Sequence, residues 1–194
     1  MGFQRVSIGN GSLGKIKEDL VAILSVDGAC ILEGIESGDI DSLYVELRAA
    51  FASTCEHHTP FFNRQDIVYP DHFCKPGAHF SGNLALKNSF ERVLSRYAFF
   101  AEIFDTSKMG LAGFRYFKIT PVERPYSCDP HIDDDYTLAF CPQGEALAVI
   151  VRGNVFLEKL TLDQALLVAP GIPHAVRNNG VEDRYSLIMR FLRD

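Results

Sequence analysis

Apolar positions in this chain follow a helical rhythm first and a strand rhythm afterwards. In "SLGKIKEDLVAIL" the spacing of Leu13, Ile16, Leu20 and Leu24 predicts a helix, with Ser12 as its N-cap. The apolar run "GACILEGI" predicts a short strand. "DIDSLYVELRAAFAS" predicts a second helix behind an aspartate cap, with Leu43, Leu47 and Ala50 or Phe51 on one face. "NSFERVLSRYAFFAEIF" reads as helix again. From about residue 112 the texture changes to "GFRYFKIT", "YTLAF", "ALAVIV", "NVFLEKL", "ALLVAP" and "YSLIMRFL", parted by "CPQGE", "RGN" and "PGIP". Short strands in series suggest a sandwich or barrel. The expected fold is mainly β with flanking helices, a barrel preceded by N-terminal helices.

Residues 56–87 keep neither rhythm. They hold His57, His58, His72 and His79 among prolines, glycines and aromatics, and a stretch of this kind reads as a functional loop. Phe61, Phe62, Tyr69 and His79 suit a lid over a substrate; a surface loop with its own apolar cluster fits equally. The 194 residues are expected to form a single domain, with 1–111 a helical support layer and lid loop and 112–194 the barrel core.

Composition narrows the function. A hydrophobic share of 47% with 23% charged residues is that of a soluble globular protein. The net charge of -6 argues against nucleic acid, whose phosphates need a basic face. No apolar run approaches the ~20 residues that cross a bilayer, and the first residues lack a signal-peptide core. Five scattered cysteines without a C-x-x-C pair point to a reduced, cytoplasmic protein, with Cys30 a small core residue. The expected partner is a small-molecule substrate, with no nucleic acid and no membrane; oligomeric state is open.

Against this background "CDPHIDDDYTLAF" is out of place, because aspartate is a poor strand former. In a strand, His131 and Asp133 would project to one side with Ile132 opposite. They supply two metal ligands, and His174, the last histidine, supplies a third. Two histidines and one carboxylate make the facial triad that leaves positions open on Fe(II). Asp134 and Asp135 read as turn or strand-end residues; as an acidic pair they would also suit a cationic group such as an amine. In the terminal strand Arg184, Ser186 and Ile188 share one face, and Tyr185, Leu187, Met189 and Phe191 the other. The apolar set packs on a protein layer. An inward guanidinium beside a hydroxyl suits a bound carboxylate. The plainer reading is an exposed edge with Arg184 paired to Glu182 or Asp183.

Taken together, His131-Ile132-Asp133, the distal His174 and Arg184-Tyr185-Ser186 resemble the Fe(II)/2-oxoglutarate-dependent oxygenases, in the penicillin-synthase-like branch. "FRYFKITP" and "VDGACILEGI" are similar to regions upstream of that family's metal strand. The resemblance implies a double-stranded β-helix of jelly-roll or cupin-like kind. It implies Fe(II) on His131, Asp133 and His174, with O2 and the cosubstrate 2-oxoglutarate, whose distal carboxylate meets Arg184 and Ser186. Arg115 and Tyr116 are further candidates for cosubstrate contact. The implied enzyme is a dioxygenase coupling decarboxylation of 2-oxoglutarate to hydroxylation or desaturation of a small molecule. The interval from His131 to His174 is short for the family, and "VAPGIPHAVRN" also resembles a cupin motif. The rival is therefore a cupin-type metal dioxygenase or isomerase without 2-oxoglutarate, in which Arg184 binds a substrate carboxylate.

Overall fold

The computed structural model describes residues 2–9, 11–50, 62–67, 84–106, 108–119, 131–143, 146–152, 154–178 and 184–192. In chain order the elements are β1 (Arg5–Ser7), α1 (Leu13–Asp27), β2 (Ala29–Glu33), α2 (Ser37–Ala50), β3 (Phe62–Ile67), α3 (Leu84–Tyr97) and α4 (Phe99–Phe104). There follow β4 (Lys108–Ile119), β5 (Tyr136–Gln143), β6 (Ala146–Arg152), β7 (Asn154–Leu160), β8 (Gln164–Val168), β9 (His174–Asn178) and β10 (Arg184–Leu192). A seven-stranded sheet runs β1-β2-β8-β5-β10-β4-β3, and a three-stranded sheet runs β7-β6-β9.

The middle strands of the larger sheet are apolar on both faces because both faces are covered. Cys30 and Leu32, Leu138 and Phe140, Ala165 and Leu167, and Leu187, Met189 and Phe191 point to the helices. There they meet Ile16 and Leu20 of α1, Leu43 of α2, Val93 and Tyr97 of α3, and Phe100 and Phe104 of α4. The alternate residues Ala29, Ile31, Ala139, Cys141, Leu166, Val168 and Ile188 form a second cluster with Leu160 of β7, in the smaller sheet. Full burial of a side chain such as Phe100 or Phe191 is worth about 1.5–3 kcal/mol. Of the apolar set expected to pack on a protein layer, Leu187, Met189 and Phe191 meet the helices, while Ile188 faces the other way.

Local signals explain the first helix. Ser12 caps α1, its Oγ accepting from Lys15 N at 3.4 Å, and Gly28 ends it in a left-handed conformation at φ 72°. Ile16 and Leu20 are buried, whereas Leu13 stays exposed. Helix α2 starts earlier than its aspartate cap predicts. Asp39 lies in the first turn and binds Arg96 Nε of α3 at 2.7 Å.

Three strands depart from expectation. β1 is three residues long, too brief to show alternation, and pairs parallel with β2. β3 falls inside the 56–87 stretch, whose end also carries the start of α3. That stretch is therefore not loop throughout: "FNRQDI" pairs antiparallel with β4 although its own pattern is polar. The lid candidates Phe61, Tyr69 and His79 lie outside the described residues, and Phe62 opens β3. β9 was hidden because "HAVRN" follows directly on the Pro-Gly-x-Pro turn. The 1–111 layer accordingly contributes strands to the large sheet as well as helices. Among the described residues, no helix is long and apolar enough to cross a membrane.

Candidate metal centre

His131, Asp133 and His174 come together where the two sheets approach. His131 does not lie in a strand, as its setting before "YTLAF" suggested. It makes one isolated antiparallel bridge to His174, with N–H to O=C bonds of 2.9 Å in both directions. The chain then passes through a bend at Asp134 and Asp135 before β5 begins. The side-chain outcome is the one a strand would give. Ile132 is 58% exposed, while His131 and Asp133 turn towards each other. Aspartates suit a bend better than a ladder, which accounts for their clustering. The backbone of Asp133 is held from the β8–β9 turn, its carbonyl accepting from Gly171 N at 2.9 Å.

Asp133 Oδ2 lies 3.6 Å from His174 Nε2 and 4.0 Å from His131 Nε2. One ligand atom from each of the three residues falls within 4.8 Å of the others. Three facial donors on bonds of about 2.1 Å stand roughly 3 Å apart, so small side-chain rotations would close this set on a divalent ion. The donors fit such an ion chemically as well. His174 is buried, and its Nδ1 lies 2.9 Å from the carbonyl oxygen of Ile172. A carbonyl only accepts, so Nδ1 carries the proton and Nε2 keeps its lone pair for a metal. Asp133 Oδ2 accepts from Thr137 Oγ1 at 2.9 Å.

Arg190 was missed in the sequence. Its Nη2 stands 2.7 Å from Asp135 Oδ2 and 3.6 Å from Asp133 Oδ1. The available signal was its parity, since Arg190 continues the series Arg184, Ser186, Ile188 along β10. Thr137 lies opposite it in the β5–β10 register. Asp135 is thereby engaged within the protein, which removes it from the pair expected to attract a cation.

The four carboxylate-binding candidates occupy neighbouring strands. Ser186 of β10 pairs in register with Arg115 of β4, and Arg184 with Phe117, while Tyr116 lies opposite Tyr185. Their side chains lie outside what is described. β10 therefore borders β5, which follows His131 and Asp133, on one side and β4 on the other.

Several solved oxygenases share this arrangement of sheets and helices. A 2OG-Fe(II) oxygenase family oxidoreductase from Burkholderia pseudomallei superposes at a TM-score of 0.63, with 16% identity over 100% of this chain and 96% of that one. The dioxygenase for auxin oxidation 1 from Arabidopsis thaliana, as its binary complex with 2-oxoglutarate, gives 0.66 at 11% identity over 99% and 93%. The non-heme alpha ketoglutarate dependent epimerase SnoN from nogalamycin biosynthesis gives 0.61 at 12% identity over 92% and 83%. The chain thus has the fold of 2OG-Fe(II) oxygenases. No protein-family model matches the chain, and no curated protein matches it in sequence.

Proposed function

We propose that the protein is a non-haem Fe(II), 2-oxoglutarate-dependent oxygenase acting on a small molecule. The observation that carries this reading is the convergence of His131, Asp133 and His174 from two distant segments in a fold shared with such enzymes. In this reading the three residues hold Fe(II), and the two sheets belong to a double-stranded β-helix. Bound there, Fe(II) with 2-oxoglutarate and O2 supplies an oxidising centre whose turnover releases succinate and CO2.

The protein's own residues set the conditions for that chemistry. Neutral imidazoles and one carboxylate leave positions open for a bidentate keto acid and for O2. The hydrogen bonds to Ile172 and from Thr137 fix His174 and Asp133 before any ligand arrives. Arg184 and Ser186 are assigned to the distal carboxylate, with Arg115 and Tyr116 on the adjoining strand as secondary contacts. Retention of the carboxylate ligand Asp133 favours hydroxylation or desaturation, although SnoN, with a similar fold, is an epimerase. We place the protein in a reducing, cytoplasmic compartment, consistent with the buried free thiol of Cys30.

The test is an anaerobic titration with Fe(II) and then 2-oxoglutarate, followed by visible absorption. Wild type should develop the charge-transfer band of the iron–keto-acid chelate; Asp133→Ala should lose it, and Arg184→Ala should need more 2-oxoglutarate. Iron binding without a band would favour the cupin-type reading, with Arg184 given to a substrate carboxylate. Absence of iron binding would remove the oxygenase reading.

A further inference from the structure

We infer that Arg190, anchored by Asp135, is a positioning residue that keeps Asp133 a one-oxygen ligand. The inference rests on the metal reading above and concerns residues that this reading does not use. The two oxygens of Asp133 have different surroundings. Oδ2 faces both histidines, at 3.6 and 4.0 Å, and accepts from Thr137. Oδ1 is turned to Arg190 Nη2 at 3.6 Å, an ion-pair distance rather than a hydrogen bond. A carboxylate with one oxygen held back by a cation presents only the other to a metal. If both oxygens bound, they would fill a position that a bidentate keto acid needs.

A lone arginine beside a metal site would repel the ion it helps to bind. Asp135 answers that objection. Its Oδ2 lies 2.7 Å from the same Nη2, so Arg190 and Asp135 together carry no net charge. The pair orients Asp133 at little electrostatic cost to a divalent ion. The guanidinium is also constrained, being 27% exposed beside an Asp135 that is 14% exposed. Strand register supplies the geometry. Arg190 and Thr137 face one another across β10 and β5, and each reaches a different oxygen of Asp133 from the bend just before β5.

The experiment compares wild type, Arg190→Gln, Arg190→Lys and Asp135→Asn in anaerobic titrations with Fe(II), then with 2-oxoglutarate on the iron-loaded protein. Circular dichroism checks the fold of each. Arg190→Gln should bind Fe(II) at least as tightly as wild type, because Oδ1 is released and Asp135 is left uncompensated. It should bind 2-oxoglutarate about ten-fold more weakly, the order of effect that partners of metal ligands have on activity. Arg190→Lys keeps the charge and should recover part of that loss. Asp135→Asn frees the guanidinium from its anchor and should show a smaller loss in the same direction; it decides the matter if Arg190→Gln does not fold. Equal 2-oxoglutarate affinity in wild type and the glutamine variant would overturn the assignment. So would a loss of Fe(II) binding itself, which would make Arg190 a general support of the site. Failure of wild type to bind Fe(II) or to develop the band would instead count against the oxygenase reading.

Discussion

At the scale of single residues, burial decides what a side chain does. Cys30 is fully buried between β2 and the helices, and desolvation pushes its thiol pKa up from 9.0 to about 12. The unfolded chain would release that proton above about pH 9, whereas the folded chain keeps it. The native state therefore binds more protons between those values, and stability falls as pH rises, by about 1.4 kcal/mol per unit. Urea unfolding of Cys30→Ala should show a flatter decline between pH 9 and 10 than wild type; identical slopes would show that Cys30 contributes nothing there. The same contrast between exposed and buried explains which site residues could be read beforehand. His131, Asp133 and His174 were legible because histidine and aspartate are conspicuous among apolar runs. Thr137 and the Ile172 carbonyl were not, since a threonine in a strand and a backbone oxygen carry no chemical signature until the chain folds. Arg190 lay between, visible as a charge at an alternate position of an apolar strand, but uninterpretable without its ion-pair partner Asp135.

β10 shows what an element adds. Its odd-numbered residues Leu187, Met189 and Phe191 enter the helix-side core, and its even-numbered residues Ile188 and Arg190 face the other way. Met189→Ala should cost about 2–5 kcal/mol in unfolding free energy while leaving the metal affinity of the folded protein unchanged. A matching loss of metal affinity would mean that the two faces are not separable. Alternation of this kind was read in β10; β5 and β8 were legible only as apolar runs, because both of their faces are buried. It was not readable in β3, a polar strand whose place comes from pairing with β4, nor in the three residues of β1. The end of α1 supplies another case. Gly28 has φ 72°, and a Cβ there would stand 2.5 Å from Ile172 Cδ1. Gly28→Ala combines left-handed strain with overpacking and should cost roughly 2–4 kcal/mol. Because the carbonyl of Ile172 orients His174, metal affinity should fall too, by about ten-fold. Calorimetric titration with Fe(II) would check the second effect, and unchanged affinity would show that Ile172 moves without its carbonyl.

On the scale of the whole molecule, two sheets must stay together, and different contacts do this at different places. Far from the metal candidates, Arg5 of β1 joins Glu33 of β2 at 2.7 Å and also pairs with Glu158 of β7. These partly exposed pairs add about 1 kcal/mol at most, so the apolar cluster around Ile31, Leu166 and Leu160 bears the larger share. That a mainly β fold with flanking helices lay ahead was clear from the change of rhythm near residue 112. How the strands divide between two sheets was not, because their order depends on pairings between distant segments. Beside the metal candidates, the bridge between His131 and His174 closes a ring of chain. The β5–β8 ladder already joins Thr137 to Val168, so the bridge has only the short ends 131–137 and 168–174 left to fix, with two backbone hydrogen bonds at about 1 kcal/mol net each. An ion gripping both imidazoles would act as the clasp of the ring, making local opening rarer. Removing it with a chelator should speed amide exchange in β6, β7 and β9 more than in β2 and β8. A uniform change across all five strands would show instead that the ring opens only when the whole protein does.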